Sequence, residues 1–167
     1  MIDQLIKSKR WEEGPGIKLE FYVANQKVER IILSSSLNQG IDLEIWSTQV
    51  EENLFLDIEE WLDQYSMGEN PEVIIPLNLD SQPPFTKQVL MTMQKVCFGE
   101  VCTYGDLARR SGFPRAARAV GSACRRNPFP LLIPCHRVLD SGHKLCGYSA
   151  GGGLTIKKKL LEYEEVF

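Results

Sequence analysis

VCTYGDLARRSGFPRAARAVGSACRRN, residues 101–127, decides how the second half of this chain is read. Thr103 followed three places later by Asp106 is an acidic variant of the capping box, and it opens a short helix through Leu107 and Ala108. Gly112-Phe113-Pro114 breaks that helix, and a second one runs from about Arg115 to Arg125. Two short helices joined by a glycine-containing turn make a helix-turn-helix candidate. The second helix carries Arg115, Arg118, Arg125 and Arg126 among Ala116, Ala117, Ala119, Gly121, Ser122 and Ala123. Small side chains let a backbone approach a groove closely, while arginines reach phosphates or enter the base stack. Small residues also permit tight helix–helix packing, and the pattern leaves both uses open.

Working outward, FTKQVLMTMQKV at 85–96 places Phe85, Val89, Leu90, Met93 and Val96 on one helical face, with Thr86 as its cap. On the other side, LLIPCHRVL at 131–139 is an apolar run that reads as the end of a buried strand and stops at Pro134. Cys135 follows, with His136 and Arg137 beside it, and neighbouring positive charge lowers a thiol pKa. Adjacent residues of a strand point to opposite faces. Either the backbone turns at Cys135, or a water carries the proton between thiol and imidazole. A histidine acting as base is oriented by a third group, and the last segment, TIKKKLLEYEEVF, offers Glu162, Glu164 and Glu165. The other four cysteines, Cys97, Cys102, Cys124 and Cys146, read as small hydrophobes.

The first half reads as a small α/β domain over residues 1–80. GIKLEFYVANQKVERIILSSS at 16–36 alternates apolar and polar residues on both sides of Asn25-Gln26, as a β-hairpin does. Leu54, Leu56, Ile58, Trp61 and Leu62 recur at helical spacing, with Gly68 as a stop. ENPEVIIPLNLDSQPP at 69–84 is punctuated by prolines and reads as one strand followed by a linker. The second domain spans 84–167. The fold class is therefore α+β.

The 167 residues carry a net charge of −3, and that figure hides a division. Residues 1–80 hold 6 Lys and Arg against 16 Asp and Glu, a net of −10, whereas residues 81–167 hold 13 against 6, a net of +7. A basic half points to a polyanion, most simply nucleic acid. No apolar stretch approaches the length of a membrane span, and the N-terminus shows no export signal. A cytoplasmic, monomeric protein is expected. Five cysteines without a secretory signal read as reduced thiols. No CxxC or HExxH pattern occurs, so neither a metal nor a cofactor is expected.

PCHRV at 134–138, preceded by TYGDLA and RAVGSACRRNP, resembles the O6-alkylguanine-DNA alkyltransferase family, and the likeness covers residues 84–164. The resemblance implies an N-terminal ribonuclease H-like domain and a C-terminal helix-turn-helix domain. It implies a single-turnover DNA repair activity on O6-alkylguanine, and leaves open whether O4-alkylthymine is also a substrate. In that family's terms Cys135 aligns with the alkyl acceptor, His136 with the water-mediated base, and Glu164 with the glutamate behind it. Arg118 aligns with the arginine that replaces a flipped base, inside a DNA-contacting set of Tyr104, Arg115, Ala116, Ala119 and Arg125. Tyr104 also aligns with the donor to the leaving guanine, and Asn127 with the asparagine that orders the turn. Val138, Tyr148 and Ser149 fall in the base pocket, where the carbonyls of Cys135 and Val138 accept from the exocyclic amine. YSAGGGLTIKKK is two residues longer than the family's usual loop at this place. Three alternatives are a non-catalytic lesion-binding relative, a cysteine hydrolase built on Cys135 and His136, and a plain helix-turn-helix regulator. The first lacks the cysteine, and the second explains neither the charge division nor the Arg118 helix. The third leaves Cys135 incidental.

Overall fold

The structure, a computed structural model, describes residues 3–167. Met1 and Ile2, the start of the stretch read for an export signal, lie outside the described residues. The chain divides into two compact units, residues 1–78 and 79–167. Among the described residues no helix is long and apolar enough to cross a membrane. Together the two units are of mixed α+β class.

The first unit is a four-stranded sheet with one helix. Its strands are β1 (Gln4–Trp11), β2 (Pro15–Ala24), β3 (Lys27–Ser35) and β4 (Gly40–Ser47), in the spatial order β1-β4-β2-β3. The β2–β3 pair turns where the apolar alternation breaks: Asn25 and Gln26 take φ of 52° and 60°, and Ala24 pairs with Lys27. Two consecutive left-handed residues form the type I′ turn, whose twist matches that of the strands it joins. Ile17, Leu19, Phe21 and Val23 of β2 and Ile41, Leu43 and Ile45 of β4 are buried, each contributing about 1.5–3 kcal/mol. Helix α1 (Glu52–Ser66) buries Leu54, Phe55, Ile58, Trp61, Leu62 and Tyr65, whereas Leu56 points to solvent. At Gly40 an added Cβ would stand 2.1 Å from the Trp11 carbonyl oxygen, so entry into β4 requires glycine. The strand expected within 69–84 does not form. Its prolines withhold ladder donors, and strand pairing is reduced to an isolated bridge between Val28 and Leu77.

The second unit begins with α2 (Pro84–Met93). Thr86, expected as the cap, is instead buried within the first turn, and Pro83 occupies the cap position with Pro84 following it. Proline suits that place because its fixed φ is helical and its missing N–H would have no partner there. Helix α3 (Tyr104–Arg110) carries the full capping box: Asp106 N donates to Thr103 Oγ1 at 3.0 Å, and Thr103 N donates to Asp106 Oδ2 at 2.9 Å. Helix α4 runs Ala117–Arg125, so Arg115 and Ala116 precede it in the turn after Pro114 rather than opening the helix. Two short strands, β5 (Cys102–Thr103) and β6 (Val138–Leu139), pair in parallel, Cys102 with Val138 and Thr103 with Leu139. That pairing sets the start of α3 beside the residues that follow Cys135. Helix α5 (Gly153–Tyr163) closes the unit.

Candidate functional site

A cleft of about 900 Å³ opens in the second unit, lined from α3 by Tyr104, from α4 by Arg118, Ser122 and Arg125, and from the 146–149 loop by Cys146, Tyr148 and Ser149. Cys135 also lines it. The apolar run before Cys135 is not a strand. Leu131 takes a φ of 75°, and residues 130–133 make a single isolated bridge. The backbone then coils into one turn of 3-10 helix over Cys135–Arg137. Of the two routes open from the sequence, the backbone does turn, and it sends thiol and imidazole in different directions from adjacent positions.

Asn127 holds this turn. Its amide nitrogen donates to the Ile133 carbonyl at 2.7 Å and to Cys135 Sγ at 3.3 Å, while its amide oxygen accepts from Phe129 N at 2.9 Å. An asparagine has both donors and an acceptor on one rigid plane, so a single side chain fixes the turn and touches the thiol. Behind the thiol, His136 is fully buried and its Nε2 stands 2.7 Å from Glu164 Oε1. Arg137 Nε and Nη2 donate to the same carboxylate at 2.8 and 2.9 Å, and Nη1 donates to the Val96 carbonyl at 2.6 Å. Of the three candidate glutamates, Glu164 alone meets the histidine. Glu162 is exposed beside Lys158, and Glu165 is exposed with a φ of 59°.

The electrostatics correct one expectation. Positive neighbours do not pull the Cys135 thiol down. Burial raises its pKa, and the Asn127 hydrogen bond, the charge of Lys157 and the Tyr148 hydroxyl offset that only in part. The Arg137 guanidinium is spent on Glu164, and burial holds His136 below its ordinary value and so neutral. Glu164 goes the other way. Burial would raise its carboxyl, but the adjoining His136 and Arg137 outweigh it and hold it down at about 2. An ionised carboxylate only accepts, so the Nε2 proton belongs to the imidazole. His136 Nδ1 is then an unprotonated nitrogen, buried and without a protein partner among the described residues. The Tyr104 hydroxyl, raised by burial and by the surrounding thiols, keeps its proton. The Tyr148 hydroxyl is likewise buried beside Cys135 and held well above the ordinary range.

Of the remaining expected residues, Arg118, Arg125, Tyr148 and Ser149 line the cleft, whereas Arg115, Ala116, Ala119 and Val138 lie outside its lining. Arg115, Arg118, Ala119 and Arg125 are exposed and Ala116 is half-buried. The small residues of α4 divide between their two possible uses: Ala123 is fully buried in the unit's core, while Ala119 and Ser122 face solvent. Ser149 Oγ donates to the Arg125 carbonyl at 2.8 Å, tying the longer loop to the end of α4. Val138 is buried, and its carbonyl accepts from Lys157 Nζ at 2.6 Å. The cysteines read as inert are not uniform, since Cys97 is exposed, and Cys124 and Cys146 line the cleft. Lys157 was missed altogether. It is fully buried, and Nζ also donates to the Cys146 carbonyl at 3.0 Å. The run of three lysines looks like a solvated face, yet 157 shares the helical stripe of Ile156, Leu160 and Leu161, and that spacing was the available signal. No group of three or more His, Cys, Asp or Glu side chains among the described residues is placed to hold a metal ion.

Fold and site together define a helix-turn-helix protein with a buried thiol, an oriented histidine and a basic rim on one cleft. Residues 84–166 match the family model described as 6-O-methylguanine DNA methyltransferase, DNA binding domain. The methylated-DNA–protein-cysteine methyltransferase of Mycobacterium leprae is 41% identical over 115 residues, covering 69% of this chain and 68% of that protein. The Methanosarcina acetivorans protein of the same name is 37% identical over 123 residues, covering 73% and 77%. The chain spans about half or less of the mammalian relatives, 41% of the rat protein and 53% of that from Cricetulus griseus. The crystal structure of Mycobacterium tuberculosis OGT in complex with DNA superposes with a TM-score of 0.68 at 28% identity, covering 95% of this chain and 92% of that one. The chain belongs to the O6-methylguanine-DNA methyltransferase family.

Proposed function

We propose that this protein repairs DNA by moving an alkyl group from O6-alkylguanine, and by extension O4-alkylthymine, irreversibly onto Cys135. The observation that carries this reading is a buried thiol beside a neutral, carboxylate-oriented histidine, on a cleft rimmed by Arg118 and Arg125. The names of the relatives and the DNA complex of the mycobacterial neighbour support it. Residues 79–167 serve as the DNA-binding and transfer domain. Residues 1–78, with the β2–β3 hairpin and β4 running parallel to β2, serve as the ribonuclease H-like domain. The partner is double-stranded DNA, and the protein works as a cytoplasmic monomer without a cofactor.

Inside a duplex the O6-alkyl carbon is out of reach, so the nucleotide must be extruded at a cost of about a few kcal/mol. Arg118 enters the stack in its place, while Arg115, Ala116, Ala119 and Arg125 meet the backbone. Val138, Tyr148 and Ser149 receive the flipped base. At rest burial keeps Cys135 as the thiol, so a base must act during the reaction. The bare Nδ1 of His136 takes the thiol proton through a water, and the Glu164 carboxylate balances the positive charge that develops on the imidazole. The sulfur lone pair forms the S–C bond as the C–O6 bond breaks, and the electron pair leaves with guanine. Tyr104, still protonated, donates a proton to the departing base, and the proton held by the His136 imidazolium passes through solvent to restore the tyrosine hydroxyl. The product is a thioether, which a histidine has no means of cleaving, so each molecule acts once.

Incubation with duplex carrying one O6-methylguanine is expected to add the mass of one methyl group, mapped to Cys135 and absent in Cys135→Ser. Preferential binding to the damaged duplex with no mass gain would instead make this a lesion-binding protein.

A further inference from the structure

Arg137 has no part in the chemistry just described, yet its side chain is buried against three acceptors. Nε reaches Glu164 Oε2 at 2.8 Å, Nη2 reaches Glu164 Oε1 at 2.9 Å, and Nη1 reaches the Val96 carbonyl at 2.6 Å. Glu164 Oε1 is shared, because it also meets His136 Nε2 at 2.7 Å. One carboxylate oxygen therefore couples the guanidinium to the imidazole. We propose that Arg137 is a positioning residue that selects the tautomer of His136. By engaging both oxygens of Glu164 as acceptors, it places the imidazole proton on Nε2 and leaves Nδ1 bare.

The alternative arrangement shows why a clamp is needed. A protonated Glu164 would donate to Nε2, the ring proton would sit on Nδ1, and the histidine would present an N–H instead of a lone pair. Two charge-assisted bonds from one planar fork hold each carboxylate oxygen as an acceptor. Lysine presents a point charge and does not reproduce that fork. Other titratable groups surround the pair. Lys157 bears on His136 and on Cys135, and Tyr148 faces both Cys135 and Glu164. The clamp is fixed from both sides. The Val96 carbonyl, just past the end of α2, holds the guanidinium, and Glu164 caps the C-terminus of α5. The Phe98 ring stands 6.0 Å from Arg137 Cζ and meets Tyr163 edge-on at 6.3 Å. The ends of two helices thus set the protonation pattern of the base.

This role rests on the reading of His136 as the base, and its test has a readout independent of transfer. The chain has 2 histidines, so nitrogen NMR of histidine-labelled protein resolves His136 once His143→Gln assigns the other ring. The wild type is expected to carry its proton on Nε2. Arg137→Lys is expected to mix the two tautomers, to displace the pH profile of transfer from an O6-methylguanine duplex, and to slow transfer roughly ten- to hundred-fold, within the range general base catalysis supplies. Arg137→Met combined with Glu164→Gln removes both buried charges at once. It should fold and show the same loss of a defined tautomer. An Nδ1–H tautomer in the wild type, or an unchanged tautomer in both variants whatever their rates, overturns the proposal. A wild type with the expected tautomer but no transfer would sink the alkyltransferase reading and leave the clamp standing.

Discussion

The Cys135 turn and the arginine face of α4 meet at one cleft and are built on opposite principles. Cys135, His136 and Arg137 of the turn and Glu164 at the end of α5 are all buried, and burial together with a few fixed hydrogen bonds sets the charge states of the thiol, the imidazole and the carboxylate. On α4, Arg118 and Arg125 are exposed and line the cleft. Buried polar groups are costly when a partner is lost, whereas exposed charges cost little and act on whatever approaches. The chemistry therefore depends on geometry already present, and recognition depends on charge waiting for a partner. Damage to the first should unfold or silence the protein, and damage to the second should weaken its grip on DNA.

The largest effect is expected at Glu164. Replacing it with Gln leaves Arg137 buried without a counter-charge, and should cost about 3–5 kcal/mol in urea unfolding as well as most of the transfer rate. The same residue governs acid sensitivity. Its folded pKa, about 2, lies below the ordinary 4.5, so its contribution is present above pH 4.5. That contribution, on the order of 3 kcal/mol, is lost as pH falls toward 2. His136 acts earlier and in the same direction. Its pKa is depressed from 6.5, so the unfolded chain takes up a proton that the folded one refuses as pH drops below that value. Urea midpoints measured from pH 8 to pH 3 should fall in two stages, and Glu164→Gln should flatten the lower one. A single stage in the wild type would break the link between burial and chemistry.

Arg118→Ala comes next. It should slow transfer from duplex DNA at least tenfold while leaving transfer from the free modified base nearly unchanged, since only the duplex requires a flipped nucleotide. Equal losses on both substrates would move Arg118 out of the recognition face. Arg115→Ala and Arg125→Ala should each lower the salt slope of DNA binding by about one and leave free-base transfer intact, as phosphate contacts do. The smallest effect belongs to local structure. Thr103→Ala removes one half of the capping box of α3 and should cost about 1 kcal/mol, read from the thermal midpoint, with catalysis otherwise preserved.

What could be read from the sequence follows the same division between local and distant. The Asn25-Gln26 turn and the Thr103–Asp106 box were legible because each is decided by residues within four places of one another. So was the thiol, because the motif that marks it is contiguous. Strand β1 and its pairing with β4 were not, since their register depends on residues 30 to 43 places apart. The segment before Cys135 read as a strand because burial without periodicity looks alike in strand and coil. Arg137 was taken as a charge acting on its neighbour Cys135. Its true partner lies 27 residues away, and no spacing rule connects a 3-10 turn to the end of a helix. Lys157 was hidden by the two lysines that follow it, although helical phase puts it on the buried side.

The most direct test of a disposable buried thiol is a count. A fixed amount of protein is mixed with increasing O6-methylguanine duplex, and repaired guanine is measured at completion. Repair is expected to rise and then level at one lesion per protein molecule, with no further product on longer incubation. A yield that keeps rising past one would mean that Cys135 is regenerated or is not the final acceptor, and would contradict the thioether endpoint on which the proposed reaction depends.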